Sequence, residues 1–92
     1  MLRLKSLVNL KTWFLYVVEC KDGTLYTGIT TDVQRRVEEH NSKSCGAKYT
    51  KSRRPVKLVY QKEYPDRSSV SKAEWAFKKL SRKNKLEALK SS

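Results

Sequence analysis

The sequence predicts an α/β-class domain, α+β in arrangement, with a small three-stranded mixed β-sheet flanked by helices in the order β-β-α-β-α-α. Three observations predict it. Two runs rich in aromatic and β-branched residues, Trp13–Cys20 and Thr24–Ile29, are separated only by Lys21-Asp22-Gly23, which reads as a hairpin. A third alternating run, Pro55–Glu63, follows a segment of helical periodicity. Two amphipathic stretches then close the chain. Ninety-two residues fit one domain, expected over 12–92. Residues 1–11 carry scattered leucines without a cap or a sustained stripe, and a poorly ordered leader is expected there.

The hairpin turn decides which side chains share a face. A two-residue Asp-Gly turn would put Tyr16 and Tyr26 on opposite faces. A three-residue loop with Gly23 at positive φ instead pairs Cys20 with Thr24, Val18 with Tyr26 and Tyr16 with Gly28. The second arrangement is favoured, because a type I turn followed by a G1 bulge needs glycine where Gly23 stands. The two tyrosines then become diagonal neighbours, and Gly28 leaves space above the Tyr16 phenol.

Thr31-Asp32-Val33-Gln34 fits a capping box opening a helix to about Asn41. At 100° per residue, Val33, Arg36, Val37 and His40 share one face while Arg35 points away. Residues 42–54 form a basic loop with Lys43, Lys48, Tyr49, Lys51, Arg53 and Arg54 as candidate nucleic-acid contacts. In the third strand Val56, Leu58 and Tyr60 alternate with Lys57, Val59 and Gln61. Pro65-Asp66-Arg67 turns the chain, and a serine at 68 or 69 is expected to cap a helix reaching about Leu80. Its stripe is Val70, Ala73, Phe77 and Leu80, with Glu74 inside it and Trp75 off it, expected to pack on a loop or the next segment. A terminal helix from Arg82 to Leu89 turns Leu86 and Leu89 inward.

Charge narrows the partners. Lys and Arg number 21 against 9 Asp and Glu, a net +12. Residues 1–46 hold seven basic and five acidic side chains, residues 47–92 fourteen and four, so +10 lies in the second half. Such asymmetry marks a face for a polyanion, above all nucleic acid, unless the lysines merely solvate helix surfaces. Cys20, Cys45 and His40 fall short of the four ligands of a structural zinc site, and two reduced thiols in the cytoplasm are expected. Asn9 and Lys11 break up Leu7, Val8 and Leu10, so no secretory core is read there. No apolar run approaches the ~18 residues of a membrane span, and neither a membrane nor a small-molecule cofactor is expected.

Candidate chemistry concentrates in a few side chains. Glu74 on an apolar stripe must be paired, protonated or metal-bound, because an isolated buried carboxylate is costly. It is either an ion-pair partner of Arg36 or another cation, or a ligand for Mg²⁺ or Mn²⁺, whose shell water and substrate phosphates complete. Arg36 and His40 either extend over apolar neighbours to solvent or point into a cleft. There an arginine clamps phosphate and an imidazole moves a proton. Tyr16 and Tyr26 are core aromatics unless nearby positive charge or metal-bound water lets a phenol act as a base.

Together these residues resemble the GIY-YIG nuclease superfamily. Phe14-Leu15-Tyr16 stands where its first tripeptide belongs and Tyr26-Thr27-Gly28 where the second does. Gly28 to Arg36 resembles the segment leading to the family's arginine, which falls on Arg36, and its metal-binding glutamate falls on Glu74. The likeness spans residues 13 to about 80. Gly46-Ala47-Lys48-Tyr49-Thr50, Arg54-Pro55 and Glu74-Trp75 look like the branch of small stand-alone bacterial members and the catalytic subunit of the eukaryotic structure-specific endonuclease. The family's first Gly and Ile are Phe14 and Leu15 here, its second Ile is Thr27, and a late asparagine has no clear counterpart beyond Asn84. The resemblance implies endonucleolytic hydrolysis of single-stranded or branched DNA with one Mg²⁺ or Mn²⁺, in repair or recombination. Tyr16 or Tyr26 would activate water, Arg36 would neutralise phosphate, His40 would assist and Glu74 would hold the metal. The alternatives are a catalytically inactive basic nucleic-acid-binding module of the same fold, or a subunit docking to a repair partner.

Overall fold

The computed structural model describes residues 12–42 and 48–90, with the side chains of Lys48 and Tyr49 excepted. The expected leader, Lys43, Cys45 and those two side chains therefore lie outside the described residues. Strands β1 (Trp13–Glu19) and β2 (Leu25–Thr30) are followed by helices α1 (Val33–Asn41) and α2 (Lys48–Lys51), strand β3 (Lys57–Tyr64), and helices α3 (Arg67–Lys78) and α4 (Arg82–Lys90). The strand order is β2-β1-β3. Both pairings are antiparallel, so the sheet is antiparallel throughout, where a mixed sheet was expected. The physical reason is that the connection through α1 carries the chain from β2 across β1 to its far edge, so β3 runs parallel to β2 and opposite to the central strand that both pair with. No described helix is long and apolar enough to cross a membrane.

The hairpin forms through the three-residue loop. Gly23 sits at φ +86°. The Cys20 amide donates to the Thr24 carbonyl at 2.8 Å, and the Gly23 amide donates to the Cys20 carbonyl at 2.9 Å. Asp22 closes the turn by accepting from the Thr24 amide at 3.1 Å and the Thr24 hydroxyl at 2.6 Å. Tyr16 faces Gly28 and Val18 faces Tyr26 as the loop length requires.

Central β1 is buried on both faces. Tyr16, Val18 and Cys20 pack with Val33 and Val56, joined by Phe14, Tyr26 and Val37, under α1. Leu15 and Val17 pack with Val70 and Phe77, joined by Ile29, Tyr60, Ala73 and Leu89, under α3 and α4. Cys20 is a buried free thiol.

Strand β3 departs from simple alternation. Val17 pairs with Tyr60 but Val18 pairs with Leu58, so the ladder steps over Val59. This bulge turns Tyr60 to the face opposite Leu58, where it stacks on Phe77 with ring centroids 6.3 Å apart. The expectation that Val56, Leu58 and Tyr60 share a face fails for that reason.

The helix starts also shift. Asp32, one residue after the expected Thr31, caps α1 by accepting from the Arg35 amide at 3.1 Å. Asp66 caps α3 by accepting from the Ser69 amide at 2.8 Å, so the serines lie inside the first turn. A carboxylate placed before the first turn answers both the unpaired amides and the helix dipole. Leu86, expected inward, is 38% exposed, whereas Leu89 joins the core.

Candidate active site

Three elements bring Tyr16, Tyr26, Arg36 and His40 together. The hairpin register sets the two tyrosines diagonally on the α1 face, and α1 lays His40 over both. The Tyr16 hydroxyl lies 2.7 Å from His40 Nε2. The Tyr26 ring meets the His40 ring edge-on, with centroids 5.2 Å apart. Gly28 makes the close approach possible: a Cβ there would lie 2.5 Å from the Tyr16 oxygen and 2.7 Å from Cζ. The space expected above the phenol is thus filled by the phenol itself, seated directly on the glycine.

His40 is completely enclosed, and its Nδ1 lies 2.9 Å from the hydroxyl of Thr50, equally enclosed on α2. Which ring nitrogen carries the imidazole proton sets the direction of both bonds. The Arg36 guanidinium, which has only donors to offer, acts on the same phenol. Thr50 is the residue that reasoning from sequence missed as a partner, since a threonine in a basic loop carries no signal that it will cap an imidazole. The short helix α2 was not expected either.

Electrostatics agree with a neutral pair at physiological pH. Burial pushes the Tyr16 phenol up to about 12, against the pull of the Arg36 hydrogen bond and charge, with Tyr26 and Glu74 adding to the rise. Burial, then the Arg36 guanidinium, holds the His40 imidazole below its ordinary value, against the smaller opposing effect of Glu39. Arg36 is partly buried and anchored by Glu39 Oε1 at 2.9 Å, while Arg35 on the solvent side pairs with Glu39 Oε2 at 3.0 Å. The helical-wheel choice of Arg36 over Arg35 matches this placement.

Glu74 approaches from the other side. Helix α3 packs beneath the opposite sheet face, across β2, β1 and β3. Yet the Glu74 carboxylate is near enough for its charge to act on Tyr16. It is mostly covered and paired with Lys78 one turn on, at 3.1 Å. The expected ion pair thus exists, with Lys78 in place of Arg36. Between β2 and the helix ends, Leu25, Tyr26, Thr27, Lys78 and Lys85 line a shallow depression. A larger groove between α1 and the β1–β3 side, lined by Phe14, Val33, Val37 and Leu58 among others, contains none of these five candidate residues.

Two cations of the basic loop have structural partners. Arg53 Nε donates to Asp22 Oδ2 at 3.1 Å, and the Lys21 amide donates to the Arg53 carbonyl at 2.9 Å, which ties the loop to the hairpin turn. Arg54 donates to the Ser42 carbonyl at 2.9 Å. Lys51 is exposed. Trp75, expected to pack, stands 65% exposed.

Most of the length of this chain is similar to known proteins. The GIY-YIG catalytic domain matches residues 12–87. A UPF0213 protein of Desulfotalea psychrophila is 58% identical over 80 residues, covering 87% of this chain and 73% of its own. One of Listeria innocua is 56% identical over 72 residues, covering 78% and 79%. The solution NMR structure of EF2693 from E. faecalis is 48% identical with a TM-score of 0.63. That of the UPF0213 protein BH0048 from Bacillus halodurans is 41% identical with a TM-score of 0.59. Each comparison spans 88% of this chain and 85% of the other. The chain belongs to the GIY-YIG family, and its relatives there are UPF0213 proteins.

Proposed function

We propose that this chain is a nucleic-acid-binding domain of GIY-YIG fold, acting in the cytoplasm on DNA. The observation that carries the reading is the concentration of positive charge on the helices beside the site. From Arg67 to Lys90 the chain has eight basic and two acidic residues. Lys78 and Lys85 line the depression that also contains Tyr26. A phosphate entering there meets two ammonium groups, one of them paired with Glu74.

A second reading, hydrolysis of DNA phosphodiesters in single-stranded or branched substrates, is favoured by the chain of bonds Tyr16–His40–Thr50 with Arg36 at the same phenol. In the tautomer with Nε2 unprotonated, the phenol can pass its proton to Nε2 while its oxygen takes a proton from an attacking water. The products of that transfer are hydroxide for attack and an imidazolium, with Tyr16 neutral throughout. Arg36 would hold the non-bridging phosphate oxygens. Glu74, now paired with Lys78, would supply one carboxylate to Mg²⁺ or Mn²⁺ in a shell otherwise made of water and phosphate. Bound there, the ion would stabilise charge on the leaving oxygen.

The experiment is a panel of single-stranded, duplex, flap and junction DNA, with RNA as a control, with and without Mg²⁺ or Mn²⁺. Wild type is compared with Glu74→Gln and Arg36→Ala. Binding without cleavage in any metal supports the first reading alone. Cleavage lost in both variants with binding retained establishes the second. Absence of DNA binding at low salt sinks both.

A further inference from the structure

Helix α3 carries a side chain that neither the core nor the five-residue constellation uses. Trp75 follows Glu74 directly and is 65% exposed. Burying an indole is among the largest apolar gains a side chain offers, and this one is left in water. Its surroundings are cationic. Lys79 Nζ stands 4.3 Å from the Trp75 ring centroid, and exposed Lys72 lies one turn before it on the same helix face. Lys78, on the adjacent face, pairs with Glu74.

We propose that Trp75 is a stacking platform for an unpaired nucleobase of single-stranded nucleic acid, beside the depression where Lys78 and Lys85 would meet a phosphate. This rests on the nucleic-acid-binding reading above and adds which form of the polymer is selected. The choice of ligand comes from charge and shape. A protein-docking patch would surround the ring with further apolar side chains, and a membrane-binding face would offer a row of them. Here the positions one turn either side are lysines, so the partner must bring a flat π-face and negative charge at nucleotide spacing. Lys79 covers one face of the indole by a cation–π contact and so fixes its plane. The other face is available for the base, while Lys72 and Lys79 meet the flanking phosphates. Bases in a duplex keep their faces stacked on one another, so the platform favours an unpaired strand. Stacking on an aromatic tolerates any base, and the site therefore selects strandedness and not sequence.

The test uses the full chain, a labelled oligothymidylate of ~12 nucleotides, within the site sizes of single-strand binders, and a blunt duplex of equal length. Wild type is compared with Trp75→Leu and Trp75→Phe by anisotropy and by tryptophan emission. Trp13, the chain's other tryptophan, remains as the internal reference in both variants. The expected result is a loss of about fivefold or more in single-strand affinity for Trp75→Leu, little change for the duplex, and recovery of most of the loss in Trp75→Phe. Wild-type emission should be quenched by the oligonucleotide, and emission of Trp75→Leu should not. Unchanged single-strand affinity in Trp75→Leu, or an equal loss for duplex, overturns the proposal and leaves DNA binding standing. So does wild-type emission that responds to protein concentration and not to the oligonucleotide, which would mean a second copy covers the ring. Wild type that binds neither DNA overturns both proposals.

Discussion

His40 shows how much one residue can report. It is the chain's one histidine, completely enclosed, with a ring nitrogen engaged on each side. Burial holds its folded-state pKa below the ordinary 6.5. The unfolded chain therefore binds a proton there more readily than the folded one. Stability from this group is fully present above pH ~6.5 and declines as pH falls towards the lower folded value. Asp22, Glu39 and Asp66 have pKa values lowered from 3.8, 4.5 and 3.8, so their contributions fade only in more acid solution. Melting temperature measured from about pH 7 to pH 5 should fall in wild type, and His40→Gln should flatten that slope. An unchanged slope in the variant would place the acid sensitivity elsewhere.

Among the elements, the join between α1 and β3 depends on a single amide. Asn41, the last residue of α1, accepts from the Val56 amide at 2.7 Å and donates to the Val56 carbonyl at 3.1 Å. This two-bond clamp brings the chain back to the sheet after the basic loop and sets where β3 begins. Asn41→Ala leaves both backbone groups of buried Val56 without that partner, so a loss of about 1–3 kcal/mol in denaturant unfolding is expected. Faster amide exchange at Val56 and along the start of β3 should accompany it.

The same scale shows what was legible in the sequence. The hairpin register was, because Gly23 marks the turn type and the turn type fixes every later pair. The α1 face was, because helical spacing alone separates Arg36 from Arg35. The Val59 bulge was not, since a bulge is a backbone step with no residue of its own to announce it, and Tyr60 changed faces with it. The caps at Asp32 and Asp66 competed with neighbouring Thr and Ser of similar capping strength. Thr50 was missed and Trp75 misread for a common reason. Whether a side chain is enclosed or left in water depends on elements far away in sequence.

For the molecule as a whole, charge and chemistry are divided. The first half of the chain, nearly balanced, provides Tyr16, Tyr26, Arg36 and His40, and the strongly basic second half provides Glu74 and the helices around it. If those helices hold the phosphates, affinity must fall steeply as salt rises. Contact with four to six phosphates of a single strand predicts a slope of about −3 to −4 in log K against log salt. Titrations at several salt concentrations read this directly, and a slope near zero would remove charge from the account.

The strand order has a consequence for how the chain is made. β1 lies at the centre, but its two partners emerge at different times: β2 directly after a three-residue turn, β3 only after α1 and the loop. During synthesis one edge of Trp-Phe-Leu-Tyr-Val-Val stays unpaired while all of the intervening chain is added. That segment is uncharged, rich in β-formers and free of proline, which is the composition most prone to intermolecular strand pairing. The nascent hairpin thus exposes an apolar edge open to pairing with other chains, and arrival of β3 covers it.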